Sequence, residues 1–179
     1  AGVPQVAVFD TAFHQTMPEH VFIYGIPYEL YQRYQLRKYG FHGTSHEFVY
    51  RRAVELLGRP AEQVKVVTCH LGNGCSITAV KDGKSFDTSM GFTPLEGVMM
   101  GTRTGDMDPA AVLYLMEKER LSPAATSDLL NKKSGLKGLS GVSNDLREVM
   151  QAAEQGVARA KLALDVFVYR IVKYVGAYA

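Results

Sequence analysis

Residues 64–71 form a valine-rich run that ends in His70-Leu71-Gly72-Asn73-Gly74, and a second β-type run, residues 75–81, follows without a break. Strand, turn and strand in immediate succession constrain the fold more than any other stretch. Glycines on both sides of an asparagine let the backbone take positive φ and approach a ligand closely, with amide hydrogens free to face an anion. The P-loop and the dinucleotide fingerprint lead from a strand into a helix N-terminus, whereas this turn leads into a strand. The sequence therefore argues against both. A third run, residues 84–90, is joined to the second by Asp82-Gly83, a strong hairpin signal.

Around this centre, residues 5–9 (Gln-Val-Ala-Val-Phe) read as a short buried strand that delivers Asp10 to the edge of a cleft. Residues 14–28 hold Pro18 and Pro27 and read as loop, and residues 29–38 suit a short helix that stops near Gly40. Thr44-Ser45-His46-Glu47 reads as a capping box opening an amphipathic helix to Leu57, with Gly58 as its stop. His42 then lies just before a helix N-terminus. Residues 91–108, with glycines at 91, 97, 101 and 105, read as a long loop. Asp108-Pro109 and Ser122-Pro123 each begin a helix, a polar cap followed by proline in the first turn. Ser143-Asn144-Asp145 caps a third helix, and Gly156 separates it from a long one over residues 157–175. Strands followed by helices point to an α/β domain of the ribonuclease-H-like type, a mixed sheet with flanking helices.

Composition narrows the possible functions. A hydrophobic share of 46% with 21% charged residues describes an ordinary globular chain rather than a disordered one. A net charge of +2 without a basic cluster gives no electrostatic reason to bind nucleic acid or a membrane surface. No apolar run reaches spanning length, and Cys69 and Cys75 read as buried thiols without zinc-ligand spacing. A cytoplasmic protein is the expectation. The chain opens at Ala1 without a methionine and stops directly after an apolar helix, so it reads as a piece of a longer protein. Val166, Phe167, Ile171 and Val175 on that helix form a face that needs covering, which fits association.

Four islands combine loop positions with reactive side chains: Asp10 at a strand end, His42 before a helix, the turn 70–74, and Arg103 within Gly101-Thr102-Arg103-Thr104-Gly105-Asp106. Singly, Asp10 reads as a turn or cap residue and His42 as a structural histidine. His46 reads as part of the helix start. Arg103 differs, because a guanidinium held between glycines is suited to reach an anion. Jointly they suggest phosphoryl transfer, which needs positive, preorganised donors around a metaphosphate-like centre.

Phe41-His42-Gly43-Thr44-Ser45-His46, then His70-Leu71-Gly72-Asn73-Gly74, then Met99-Met100-Gly101-Thr102-Arg103-Thr104-Gly105-Asp106 resemble the acetate kinase family in order and spacing, nearly end to end. The resemblance implies the actin-like ATPase fold, here incomplete: residues 1–15 as the end of an N-terminal lobe or the crossover between lobes, and 16–179 as most of a C-terminal lobe. It implies phosphoryl transfer between ATP and acetate, giving ADP and acetyl phosphate, with Mg²⁺ accompanying the nucleotide and a homodimer as the assembly. Asp10 matches the family's active-site aspartate. Acetate is already ionised at neutral pH and needs no base, so the physically sensible role for Asp10 is to position Mg²⁺, as an indirect contact, or the nucleophile. His42 and Arg103 match transition-state stabilisers. Phe41 and Pro94 match residues lining the pocket for the acetate methyl. The resemblance places the ATP phosphates at His70, Leu71, Gly72, Asn73 and Gly74, and adenosine at Asp145, Leu146 and Arg147.

It assigns no metal ligand within the chain. The family's first phosphate turn with its lysine, its carboxylate-binding arginine, its late glycine-rich nucleotide loop and its Mg²⁺-holding glutamate are absent. The chain by itself is therefore expected to be inactive. Two rivals stand beside this reading: a propionate or butyrate kinase of the same family, and a non-catalytic actin-like nucleotide-binding module.

Overall fold

A computed structural model describes residues 2–179. A 3₁₀ turn, Ala12–Thr16, precedes α1 (Glu19–Phe22), α2 (Tyr28–Tyr34) and α3 (Gly43–Leu57); a second 3₁₀ turn, Ala61–Gln63, leads into β1 (Val66–Leu71), β2 (Cys75–Lys81) and β3 (Lys84–Thr88). Five helices follow: α4 (Pro109–Lys118), α5 (Pro123–Lys132), α6 (Gly135–Ser140), α7 (Leu146–Glu154) and α8 (Ala158–Tyr178). The strands form an antiparallel sheet in the order β1-β2-β3, with Thr68 opposite Thr78 and Leu71 opposite Cys75. Asp82 and Gly83 both take positive φ, 53° and 78°, as the tight two-residue hairpin requires. Helices flank the sheet, as an α/β chain of this pattern should arrange them.

The two faces of β2 differ in chemistry. Side chains alternate along a strand, so odd and even positions meet different neighbours. Cys75 and Ile77 join a cluster with Met90, Val98, Met100, Leu136, Val149 and the α8 residues Ala160, Ala163 and Phe167. Those α8 residues recur at helical spacing on one stripe. Ser76 and Thr78 belong to the other face, where Thr68 of β1 and His46 of α3 are also buried. His14, Ser85 and Thr88 are likewise buried, and His14 Nδ1 lies 2.8 Å from Ser85 Oγ. Buried polar groups are stable only when paired, so this part of the layer depends on its hydrogen bonds; towards the far end of β2 the same side also holds a small apolar cluster of Tyr50, Val64 and Val80.

Several expectations are corrected. Residues 5–9 form no strand: Val6, Val8 and Phe9 are 82%, 73% and 70% exposed, and no described strand offers them a ladder partner. The Thr44 capping box does not form, because α3 starts two residues earlier and its N-cap is His42. Glu47 pairs instead with Arg51 one turn on. The short helix ends at Tyr34, where Gln35 turns left-handed at φ 52°, rather than near Gly40. Part of 14–28 is the short helix α1, and α6 lies where no helix was expected. Cys69 is exposed, whereas Cys75 is buried. The α8 face named as needing cover is largely met within the chain, since Phe167 is buried and Val166, Ile171 and Val175 pack on the same core. Leu162, Val168, Tyr169 and Val172 are the exposed apolar residues of that helix.

Other expectations hold. Gly58 ends α3 in a left-handed cap at φ 58°. Asp108, Ser122 and Asp145 each accept a backbone N–H at the start of α4, α5 and α7.

Candidate active site

The site is assembled at the N-terminus of α3. Asp10 supplies the cap that the helix's own residues do not: its Oδ2 accepts from the His42 amide and its carbonyl from the Gly43 amide, both at 2.8 Å. Two of the four amides orphaned at a helix start are met in this way, and a carboxylate there also suits the helix dipole. The cap reading and the site reading of Asp10 thus describe one arrangement. His42 sits at φ 58°, ψ 22°, a left-handed conformation uncommon for a residue with a Cβ. Conformations of this kind cost about 1–3 kcal/mol and persist where surrounding contacts over-determine them. Here those contacts are Asp10 on the amide and Ser76 Oγ, 2.8 Å from Nδ1.

His42 stacks on His70, ring centroids 4.0 Å apart, and His70 Nδ1 is 2.9 Å from Ser45 Oγ. The glycine turn then brings the cluster together. A Cβ placed on Gly74 would lie 3.1 Å from Arg103 Nη1 and 3.3 Å from both Cε1 and Nε2 of His42. An imidazole edge and a guanidinium therefore meet at one point on the turn, and a side chain there would press both back by a few tenths of an ångström. The turn itself does not use positive φ, contrary to expectation: neither Gly72, Asn73 nor Gly74 is left-handed. Closeness of approach, not backbone freedom, is what Gly74 provides.

Other parts converge on the same turn. The Asn73 carbonyl accepts from the Gly101 amide at 3.0 Å, and Asn144 Nδ2 donates to Asn73 Oδ1 at 3.1 Å. The loop carrying Arg103 and the segment before α7 are thereby fastened to the turn. Asp145 is N-cap of α7 and bonds Arg147; the Arg147 guanidinium, then its amide, pull the Asp145 carboxyl down to about 2. Leu146 is exposed beside them. Arg103 Nη1 donates to the Pro94 carbonyl at 3.3 Å, so Pro94 is set next to the guanidinium. Phe41 packs on the apolar cluster, and its carbonyl accepts from His14 Nε2 at 2.9 Å. A cavity of about 480 Å³ is lined by Tyr24, Thr93, Glu96, Asp106 and neighbours; His42, Gly74 and Arg103 are not among its lining residues.

Burial first, then the stacked His70, pushes the His42 pKa down to about 4, with Arg103 and His14 acting in the same direction and Asp10 opposing. The free site thus holds a neutral imidazole beside a permanent guanidinium charge. Among the described residues no three His, Cys, Asp or Glu side chains are grouped to hold a metal. Asp10 brings one carboxylate to the rim. That donor set fits a Mg²⁺ carried in on nucleotide phosphates, which commonly keeps its waters and needs few protein ligands, rather than a resident ion. No described helix is long and apolar enough to cross a membrane.

Sequence reasoning missed Ser76, Ser45, His46, Thr68 and Asn144 as parts of this site. The period-two placing of polar residues at 68, 70, 76 and 78 was the available signal.

An α/β chain whose strand-turn-strand glycine meets an imidazole and a guanidinium has close counterparts among solved structures. The crystal structure of an acetate kinase from Porphyromonas gingivalis superposes with a TM-score of 0.94 at 56% identity, covering 96% of this chain and 43% of that one. A propionate kinase from Francisella tularensis gives 0.95 at 52% identity, covering 99% and 45%. Among curated proteins, acetate kinases of Dictyoglomus thermophilum and Desulfitobacterium hafniense are each 65% identical over 99% of this chain. These comparisons show the actin-like kinase fold. The sequence model of the Acetokinase family matches residues 1–179, and the chain belongs to that family. It spans 44% and 45% of the length of those two curated relatives.

Proposed function

We propose that this chain contributes one wall of an acetate kinase active site, where ATP passes its γ-phosphoryl group to acetate and leaves as ADP. The observation that carries this reading is the meeting of His42, Arg103 and Gly74 at one point. Phosphoryl transfer asks a protein for positioning and for charge stabilisation of the equatorial oxygens, and little else. An acetate oxygen forms the new bond to phosphorus as the bond to the ADP oxygen breaks, in line, with no proton to remove from acetate. Arg103 supplies fixed charge to the transferring group. His42 supplies a second polar contact opposite it, and the turn 70–74 cradles the nucleotide phosphates. Asp10, held on the His42 amide, orients the incoming group. Phe41 and Pro94 flank the place of the methyl group, and Asp145, Leu146 and Arg147 form the adenosine side. When bound, Mg²⁺ would neutralise phosphate charge.

Within the same proposal, residues 1–15 form the crossover from a preceding lobe, its last turn Ala12–Thr16 docked on β3. Residues 16–179 form most of a C-terminal lobe, and the complete enzyme is a cytoplasmic homodimer. The 179-residue chain alone is inactive, because loss of one transition-state donor already costs about 100- to 1000-fold. Acetyl phosphate formation from ATP and acetate, assayed with the full-length protein and with this chain, tests both statements. Turnover by the full-length protein only is expected; turnover by the isolated chain overturns the second statement, and none by either overturns the first.

A second reading, a propionate kinase, is favoured by the Francisella tularensis structure. Turnover on acetate, propionate and butyrate in the same assay decides between them, and the acetate reading expects acetate to give the highest kcat/KM.

A further inference from the structure

From His42 a single file of side chains runs inward along the polar face of the sheet. His42 Nδ1 lies 2.8 Å from Ser76 Oγ, and the same oxygen lies 2.7 Å from His46 Nε2. His46 Nδ1 lies 2.8 Å from Thr68 Oγ1, which reaches the Thr78 carbonyl at 3.4 Å. Ser76, His46 and Thr68 are 0%, 1% and 4% exposed, so their hydrogen bonds must be met within the file. Burial, then the neighbouring His14, His42 and His70, pushes the His46 pKa down to about 3. His42, flanked by His70 on β1, Arg103 and Asp10 on loops and His14 on the 3₁₀ turn, is also neutral in the free site. Each ring therefore carries one proton, as does each hydroxyl.

One fixed proton then fixes the rest. The Thr78 carbonyl only accepts, so Thr68 donates to it and accepts from His46 Nδ1–H. His46 Nε2 is left bare and accepts the Ser76 hydroxyl proton. Ser76, its proton spent, accepts from His42 Nδ1–H. His42 Nε2, on the side of Gly74 and Arg103, is left with its lone pair.

We propose that Ser76, backed by His46 and Thr68, is a positioning residue that fixes the ring and the tautomer of His42, so that Nδ1 carries the proton and a bare Nε2 faces the phosphoryl group. The proposal rests on the kinase reading for its functional consequence but not for its tautomer. With its lone pair outward, Nε2 accepts a hydrogen bond from a water that in turn donates to a phosphoryl oxygen, so no proton changes hands, while Nδ1 stays anchored on the sheet. Which imidazole nitrogen is active is set by the partner of the other.

The test uses the full-length protein with histidine-selective ¹⁵N labelling at neutral pH and His42 assigned by substitution. The expected spectrum shows His42 protonated at Nδ1 and bare at Nε2. Ser76→Ala removes that tautomer and lowers kcat for phosphoryl transfer about 10- to 100-fold, by analogy with the loss of a partner that orients a metal-bound imidazole. KM for ATP changes little, and Ser76→Thr, which keeps the hydroxyl, restores tautomer and rate. A His42 protonated at Nε2 in the parent, or a Ser76→Ala protein with parental tautomer and kcat, overturns the proposal. A parent with the expected tautomer but no transfer to any carboxylate overturns the kinase reading instead and leaves the tautomer assignment standing. If Ser76→Ala does not fold, the parent spectrum and Ser76→Thr still decide.

Discussion

The two faces of β2 are one residue apart and obey different rules. Ile77 faces a cluster closed by Ala160, Ala163 and Phe167, where stability comes from apolar area and close packing. Ser76 faces His46 and His42, where each atom has a named partner and a direction of donation. Area is additive and tolerant of shape-conserving change, whereas a hydrogen-bond file fails as a unit once one member is removed. The difference explains how one short strand can both hold the domain together and aim a side chain at the site.

The comparison can be broken most forcefully on its apolar side. Ile77→Ala is expected to lower unfolding free energy by about 2–5 kcal/mol, the usual cost of emptying a buried aliphatic position. Its kcat per folded molecule should remain that of the parent. Denaturant titration beside kinetics checks both halves, and a loss of kcat matching the loss of stability would erase the distinction between the faces.

Next comes Arg103, which meets the polar side from the opposite loop. Arg103→Ala should reduce phosphoryl transfer in the full-length protein about 100- to 1000-fold with cooperative unfolding preserved. Transfer left intact would remove Arg103 from the groups that stabilise the transferring phosphoryl.

A further effect is the pH dependence of stability. His42 and His46 have folded pKa values near 4 and 3, and that of His14 is also lowered, all from an ordinary 6.5. The unfolded chain therefore binds more protons than the folded one below about 6.5. Stability is full above that pH and declines as pH falls towards 4 and 3. Asp145, lowered from 3.8 to about 2, acts in the same sense but only in a more acid window. Urea midpoints falling between pH 7 and 5, with a shallower fall in His46→Gln, are expected; a midpoint flat or rising towards pH 5 contradicts the assignment of neutral buried imidazoles.

Much of this architecture was legible in the sequence. Gly72-Asn73-Gly74 between β runs, Asp82-Gly83, and the caps at Asp108, Ser122 and Asp145 are local signals, and each sits where its chemistry requires. His42 and Arg103 were readable as reactive residues in loops. Their meeting at Gly74 was not, since it depends on contacts across the fold. The strand expected at 5–9 failed because alternation and apolarity cannot supply a ladder partner. The capping box failed because a residue 32 positions earlier, Asp10, meets the first helix amides instead. The period-two placing of Thr68, Ser76 and Thr78 marks a polar face, yet it does not say that His46 of α3 lies against it. A line of hydroxyls acquires direction only when the sheet register and α3 bring them into contact.

Turnover numbers for Ser76→Ala and Ile77→Ala, each per folded full-length molecule in the same ATP and acetate assay, test the account most directly. The account predicts about a 10- to 100-fold loss for Ser76→Ala and a parental value for Ile77→Ala. Equal losses in the two variants, or a parental kcat for Ser76→Ala, would contradict it.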